Sequence, residues 1–400
     1  MLRYVTRALA ACASIAGLAL LAPIASADLP IHPRLQNLQP TAADVGGDLN
    51  EPDDTSFGTA VVIRDDLAFI GMPGVQRVGV YSSSSTALVR TSTLVPTPAT
   101  TSGEFGRTLT YRDGILVVGA RQAAYAFQRS NGVWTQRQRI APPTADDVFE
   151  FAHAIHYENG TLAVGALRNN NPSAVYIYER DATGKFIARG KLLSPDGPTA
   201  DGFGASISMG GQAMVIGAPG RGAAYIFRRN SAGVWRNNQK LVPTVRTALH
   251  DGFGAAVAID RQMIIVGAPF AGGDLGMPPG AAYVFTPGGG IYVETLKLDP
   301  GPELFREDHV LFGRQIAMFD QRIVINAQSF ESDNPLVGNV TFSFTRSGSS
   351  VVPRGVLQSD AFKSTSLSLA NQRVLVGIGC ASESGFCGGR VSLYNLNVFQ

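Results

Sequence analysis

Three basic side chains occupy the same place in a recurring pattern of this sequence, two residues after an aromatic residue. These side chains are Arg107, His153 and Arg314. Gathered at one point, two guanidinium groups and an imidazole would suit an anionic ligand such as a sugar acid. The competing interpretation is that each side chain bonds to neighbouring backbone and loops, as most polar side chains do. The pattern thus suggests an anion-binding hypothesis that depends on how the chain folds.

Sequence motifs of the common catalytic classes are absent from the chain. It contains no Gly-x-Ser-x-Gly, no His-Glu-x-x-His and no Gly-Lys-Ser/Thr. The acidic pairs Asp53-Asp54 and Asp146-Asp147 lie in polar stretches, where a solvated surface is the expected environment. We therefore predict no catalytic residue, no cofactor and no metal ligand.

The recurring pattern is a repeat of roughly fifty residues that occurs seven times. Each repeat opens with an aromatic residue, and these are Phe57, Phe105, Phe151, Phe203, Phe253, Phe312 and Phe362. A second position follows at a constant offset in six repeats and one place later in the last, and it holds Gly71, Gly119, Gly165, Gly217, Gly267, Asn326 and Gly377. A fixed inner spacing at this period is typical of a repeat architecture, and the length suits a propeller.

Each repeat is predicted to contain four short β-strands. The second strands are almost wholly apolar, which is typical of strands buried on both faces, and the polar fourth strands suit an outer edge that faces water. Two-residue turns between the first and second strands are predicted at Asp65-Asp66, Asp113-Gly114, Asn159-Gly160, Gly210-Gly211, Asp260-Arg261, Asp320-Gln321 and Asn371-Gln372. No stretch has a sustained helical period, so the chain is predicted to be all-β.

The repeats resemble FG-GAP repeats, the blades of the integrin α-subunit propeller and of many exported bacterial proteins. The resemblance is strongest at Phe203-Gly204 with Gly217-Ala218-Pro219 and at Phe253-Gly254 with Gly267-Ala268-Pro269. It extends over the chain after residue 56 and weakens in repeats six and seven. It implies a seven-bladed β-propeller of four-stranded antiparallel blades, in which the phenylalanine and the glycines pack one blade on the next.

The calcium loops of this family are not expected in the chain. Integrin-type repeats often carry Asp-x-Asp/Asn-x-Asp-Gly between the first and second strands. Here those connections are two-residue turns, which offer too few carboxylates for the roughly six to eight oxygen ligands that calcium takes.

Residues 1–27 have the pattern of a signal peptide. Arg3 and Arg7 precede an apolar core at residues 8–21, and Ala25-Ser26-Ala27 is a small-residue cleavage site. A membrane anchor and a lipid attached at Cys12 are the alternatives, but the apolar core is short and Arg7 lies too close to that cysteine. We therefore predict a propeller at residues 28–400, without a membrane span, that is secreted, periplasmic or at the cell surface.

Charge and cysteine content narrow the expected partners. The chain has 33 Lys and Arg against 31 Asp and Glu, so removing residues 1–27 balances the two signs. This balance argues against nucleic acid as a partner, and we predict a monomer. Cys380 and Cys387 lie close together in one loop, and in an exported chain a local disulfide is expected. Two free thiols and a metal site are the alternatives.

Connection lengths predict where binding occurs. In an antiparallel four-stranded blade, the connections from strand 1 to strand 2 (1→2) and from strand 3 to strand 4 (3→4) lie on one face, here called the turn face. The connections from strand 2 to strand 3 (2→3) and from strand 4 to strand 1 of the next blade (4→1) lie on the other face, here called the loop face. All insertions fall on the loop face, at residues 41–56, 270–279, 299–311, 327–337 and 378–388. We predict that this face binds a protein or carbohydrate, with Asp274 and Asp333 as further candidate binding residues. The alternatives are an enzyme acting on polysaccharide at a mouth of the central channel, and a structural part of a larger complex.

The two ends of the chain are predicted to close the ring. After the third strand of repeat seven, only residues 395–400 remain, which leaves too little chain for a full fourth strand. Residues 33–39 resemble the fourth strands of other repeats. We predict that they pair with residues 390–396 as the outermost strand of blade 7, because an unpaired edge there would be exposed.

Overall fold

A computed structural model describes residues 29–41, 44, 55–99, 103–143, 150–167, 173–198, 201–245, 251–272, 279–300, 311–328, 340–348, 350–358, 366–378 and 389–396. These residues form seven antiparallel sheets of four strands, each sheet being one blade. The predicted all-β, seven-bladed propeller is confirmed.

The strands follow one another along the chain in the order of the blades. Blades 1 and 2 contain β2 (Val61–Arg64), β3 (Leu67–Met72), β4 (Arg77–Ser83), β5 (Leu88–Leu94), β6 (Thr108–Arg112), β7 (Ile115–Ala120), β8 (Ala123–Ser130) and β9 (Val133–Ile140). Blades 3 and 4 contain β10 (Glu150–Glu158), β11 (Thr161–Leu167), β12 (Ala174–Arg180), β13 (Phe186–Leu193), β14 (Ser206–Gly210), β15 (Ala213–Ala218), β16 (Ala223–Arg229) and β17 (Trp235–Leu241). Blades 5 and 6 contain β18 (Ala256–Asp260), β19 (Met263–Ala268), β20 (Ala281–Gly288), β21 (Ile291–Leu298), β22 (Ile316–Phe319), β23 (Arg322–Ala327), β24 (Val340–Ser347) and β25 (Ser350–Gln358). Blade 7 contains β26 (Ser366–Ala370), β27 (Arg373–Ile378), β28 (Arg390–Asn395) and, from the start of the chain, β1 (Arg34–Leu38).

Burial follows the predicted order of the strands. The second strands β3, β7, β15, β19 and β27 are buried at every position, as expected for strands covered on both faces. The fourth strands β9 and β17 are exposed or partly exposed except at their last residue. The core therefore lies between the blades rather than at the centre of the ring.

Two of the predicted turns are one residue too early. The first-strand register extends to Gly210 opposite Ala213 and to Asp260 opposite Met263. The turns are therefore Gly211-Gln212 and Arg261-Gln262. The left-handed φ that such a turn needs falls on its first residue, at 62° for Gly211 and 53° for Arg261. Strand pairing, rather than turn composition, fixes the position of the turn.

In five of the seven blades, the glycine of the second strand lies against the opening glycine of the next blade. A Cβ built on Gly217 would be 2.0 Å from the carbonyl oxygen of Gly254, and one built on Gly267 would be 1.8 Å from that of Gly313. The Ser206 hydroxyl donates a hydrogen bond of 2.8 Å to the same Gly254 oxygen. Only a residue without a side chain permits this backbone approach, so the constant offset between aromatic residue and glycine marks the contact between blades.

The aromatic residue of each repeat fills the space beside that contact. Phe203 is fully buried, and its ring lies edge-on to Tyr225 and Phe227 at centroid distances of 5.8 and 6.0 Å. It packs in one cluster with Val175 of blade 3, so it joins two neighbouring blades. Edge-to-face aromatic contacts add to the burial of apolar area in such a cluster.

The start of the chain closes the ring as predicted. Strand β1 pairs antiparallel with β28, with Gln36 opposite Leu393 and Leu38 opposite Val391. The preceding residues make a second attachment that the sequence did not predict. The His32 amide donates to the carbonyl of Val356 in blade 6 at 2.8 Å, and its Nε2 lies 2.9 Å from Ser343 Oγ. The N-terminal segment therefore joins blade 6 to blade 7.

Candidate functional site

The strand bounds show that connections of more than five residues occur on the loop face and not on the turn face. On the turn face, every 1→2 connection has two residues, and the 3→4 connections of blades 1 to 6 have two to five. On the loop face, the longest connections are residues 39–60, 95–107, 194–205, 242–255, 269–280, 299–315 and 328–339. All of the long connections thus lie on one face of a rigid ring, which is where binding function is usually found.

Two of the predicted anion-binding residues meet on the loop face at the boundary of blades 2 and 3. Arg107 Nη2 lies 2.8 Å from Glu150 Oε2, and His153 Nδ1 lies 3.6 Å from the same oxygen. Arg107 Nη1 also lies 3.2 Å from Glu104 Oε2, and Arg121 pairs with Glu104. The two arginines are therefore engaged by two carboxylates.

The environment of His153 favours its neutral form. Burial lowers the pKa of its imidazole and the charge of Arg107 lowers it further, against an opposing hydrogen bond to Glu150. An incoming anion at this position would have to displace Glu150 from Arg107. The cluster is thus better suited to holding the two blades together than to binding an anion.

The other candidate residues are not brought into this cluster. Arg314 is exposed at the start of blade 6, on the loop face, and its described contact is a backbone bond of 3.4 Å to Leu311. Asp274 and Asp333 lie outside the described residues, as do Cys380 and Cys387. Their roles in binding and in a disulfide stay predictions.

The opposite mouth of the channel has a cavity of about 760 Å³ on the turn face. The last residues of the first strands of blades 1 to 6 form its rim, and in blade order they are Arg64, Arg112, Glu158, Gly210, Asp260 and Phe319; blade 7 contributes Leu369. The two arginines are neighbours, whereas Asp260 belongs to a blade on the other side of the ring. This rim has an uneven distribution of charge.

The rim residues also recur at a constant number of positions after the opening aromatic residue of each repeat, so the sequence contains a signal for them. In every repeat the rim residue lies seven positions after the opening aromatic residue. The sequence analysis compared the position two after the aromatic residue, which falls near the loop-face mouth. Because a first strand spans the channel wall from one face to the other, the two offsets sample opposite mouths.

Within the described ranges, no group of three or more His, Cys, Asp or Glu side chains is placed to hold a metal ion. The same part of the chain has no helix that is long and apolar enough to cross a bilayer.

Comparison with known proteins agrees with the fold. The FG-GAP repeat family model matches residues 187–227 and 235–285. No curated protein matches the chain in sequence. A chain in a crystal structure of a mitotic checkpoint complex shares 12% identity over 98% of this chain and 99% of its own length, with a TM-score of 0.59.

Two further solved structures have the same fold at similarly low identity. Saccharomyces cerevisiae Sqt1 shares 11% identity, with a TM-score of 0.52 over 93% of this chain and 87% of its own. A protein from Lactobacillus plantarum shares 10% identity, with a TM-score of 0.52 over 80% of this chain and 87% of its own. Such likenesses show the fold alone. Together, the repeats matched at residues 187–227 and 235–285 and the seven blades support an FG-GAP repeat architecture in a chain that folds as a seven-bladed β-propeller.

Proposed function

We propose that this propeller is a binding module that engages a protein or carbohydrate partner through its loop face. The observation that carries the proposal is the length of the 2→3 connections at residues 269–280 and 328–339. The 4→1 connections must cross from the outer strand of one blade to the inner strand of the next, but a 2→3 connection joins adjacent strands and can be as short as residues 121–122 of blade 2. We also propose that it works outside the cytoplasm, as a secreted, periplasmic or cell-surface protein. The signal-peptide pattern of residues 1–27 supports that location.

The frame beneath the loops is suited to holding a binding surface in one shape. The glycine contacts between blades leave no space for relative movement of neighbouring sheets. The N-terminal segment attaches to blades 6 and 7, so the ring has no free edge at its closure. Binding to a preorganised surface avoids part of the ordering cost of association.

One aromatic side chain on the loop face has the properties of a binding anchor. Phe270, in the 2→3 connection of blade 5, is 45% exposed. Its amide donates to the Asp251 carbonyl at 3.0 Å, and its ring lies so close to Gly252 that a Cβ there would be 2.9 Å from it. An aromatic ring held in place yet exposed is the kind of residue that contributes most to binding interfaces.

The alternative of an enzyme acting on polysaccharide at the channel mouth is not favoured. Such an enzyme needs a carboxylic acid and a carboxylate poised on either side of a sugar ring. At the loop-face mouth, Glu104 and Glu150 are instead paired with Arg107 and Arg121.

The proposal is tested with two variants in the same blade. Phe270→Ser removes an exposed apolar side chain from the loop face, and Ile291→Ser removes one that is 54% exposed at the turn-face end of β21. Binding of both variants and of the unaltered chain is measured on an array of purified glycans and against a panel of purified exported proteins. We expect Phe270→Ser to weaken the strongest interaction roughly tenfold or more and Ile291→Ser to leave it unchanged.

Two results would contradict the proposal. One is the reverse order of effects, which would place the partner on the turn face. The other is the absence of binding to every glycan and protein in both collections by a chain whose circular dichroism shows an intact β fold.

A further inference from the structure

The turn-face rim contains a half-buried arginine without a described anionic partner. The Arg64 guanidinium lies over the ring of Phe319, with 5.5 Å between its central carbon and the ring centroid. Among the described residues, no carboxylate oxygen lies within 4 Å of it; the charges of Asp65, Glu158 and Asp113 act from farther away. The aromatic ring therefore orients this cation but does not neutralise it.

The neighbouring arginine shares its single partner with a histidine. Arg112 Nη2 lies 3.4 Å from Glu158 Oε1, and His156 Nε2 lies 3.6 Å from Glu158 Oε2. Burial raises the pKa of Glu158, but the His156 hydrogen bond and the Arg112 charge outweigh it, so the pKa falls below its usual range. Glu158 is thus ionised, and its carboxylate pairs with Arg112 and His156 while Arg64 lies beyond pairing distance.

This arrangement has an electrostatic cost that an anion would relieve. Burial and the positive charge of Arg112 both lower the pKa of Arg64, because they disfavour its charged form. A guanidinium remains charged at neutral pH even so, and two adjacent cations at a partly dehydrated rim attract negative charge.

The adjoining space has the size of a small-molecule site. The cavity of about 760 Å³ falls within the range of roughly 300–1,000 Å³ that is usual for such sites. Gly210, which has no side chain, occupies one rim position and leaves space at the mouth. The rim thus has both a cationic wall and room for a ligand beside it.

We propose that the turn-face mouth of the central channel binds the oxyanion group of a ligand of monosaccharide size, held between the guanidinium groups of Arg64 and Arg112. A carboxylate or a phosphate meets the planar fork of an arginine with two parallel hydrogen bonds. Glu158 competes with the ligand for Arg112. This site is separate from the loop face and does not depend on the proposed function.

The test measures binding by titration calorimetry at low ionic strength with four probes. Glucuronate carries a carboxylate, glucose 6-phosphate and inorganic phosphate carry a phosphate, and glucose is the neutral control. We expect saturable one-to-one binding of glucuronate or of the phosphates, and no binding of glucose. Comparison of the two kinds of anion identifies which group the rim prefers.

Three charge variants separate a site from general attraction. Arg64→Gln should weaken binding about tenfold or more, since it removes a charge-assisted bidentate contact. Arg261→Gln makes the same change of charge at the same rim, but Arg261 is already paired with Asp320, so affinity should change less than about threefold. Glu158→Gln should strengthen binding severalfold, because it frees Arg112 from its competing carboxylate.

Several outcomes would overturn the proposal. They are the absence of saturable binding of any anion, an equal loss in Arg64→Gln and Arg261→Gln, and an unchanged or lower affinity in Glu158→Gln. The Glu158→Gln variant gains rather than loses binding, so a general loss of folding cannot imitate the expected result.

Discussion

Replacement of Gly217 by alanine tests whether close backbone contact between blades holds the ring together. The new Cβ would lie 2.0 Å from the Gly254 carbonyl oxygen and 2.3 Å from Ser206 Oγ, whereas ordinary contacts begin near 3.4 Å. Blade 5 must therefore move away from blade 4 by more than about 1 Å. The hydrogen bond from Ser206 to Gly254 is lost in the process.

The expected loss of stability follows from these changes. Inserting a methyl group into a packed site costs about 1–3 kcal/mol. Loss of the Ser206 hydrogen bond adds about 1 kcal/mol. Alanine also restricts the conformations of the unfolded chain more than glycine does, which stabilises the folded protein by about 0.4–1 kcal/mol. We expect Gly217→Ala to lower the free energy of unfolding by about 2–3 kcal/mol.

Urea unfolding followed by tryptophan fluorescence measures this loss, since Trp235 lies in blade 4 and packs against its core cluster. The matched control is Gly190→Ala in β13, where an added Cβ has no atom within 4 Å. We expect the control to stay within about 1 kcal/mol of the unaltered chain. If Gly217→Ala were as stable as the control, the contact between blades would not limit side-chain size and the reasoning would be refuted.

Two further predictions concern the closure of the ring. Burial and the charge of Arg322 lower the pKa of His32 below its unfolded value of about 6.5. Protons therefore bind the unfolded chain more tightly, and the free energy of unfolding falls as the pH decreases through that value. His32→Gln should reduce this loss between pH 7.5 and pH 5 in thermal melts; an identical pH dependence in both chains would refute it. Arg373 of blade 7 donates to the carbonyl and hydroxyl of Ser83 in blade 1 at 3.2 and 2.5 Å, so Arg373→Gln should cost about 2–3 kcal/mol in urea unfolding. Arg228→Gln, which alters an exposed arginine, is the control, and equal effects of the two changes would argue against this link between blades.

The blades themselves could be predicted from the sequence because each is built from residues close together in the chain. A first strand, a two-residue turn and an apolar second strand leave a pattern within some twenty residues, and the pattern recurs. The closing strand at residues 33–39 was also predictable, because the last repeat lacked the polar strand that the other repeats have. The two shifted turns show the limit of such local signals, since cross-strand pairing at Gly210 and Asp260 determined where the strands end.

The candidate sites were less predictable because they combine residues from different repeats. Arg107 and His153 lie close together, but no sequence pattern indicated that Glu150 of the next repeat would pair with Arg107. The attachment of His32 to blade 6 was missed for the same reason. Both contacts join side chains whose separation in sequence has no fixed period.

The sequence alone determined the number of blades, the burial of their middle strands and the glycine spacing that permits their contact, because these depend on local periodicity and on steric size. Only the closed ring decided which charges meet. Arg64 is in the first repeat and Phe319 in the sixth, and they come into contact at the rim because the seven blades close into a ring. Interactions across a closed ring depend on the number of blades and on the register of each strand, and no single repeat contains either.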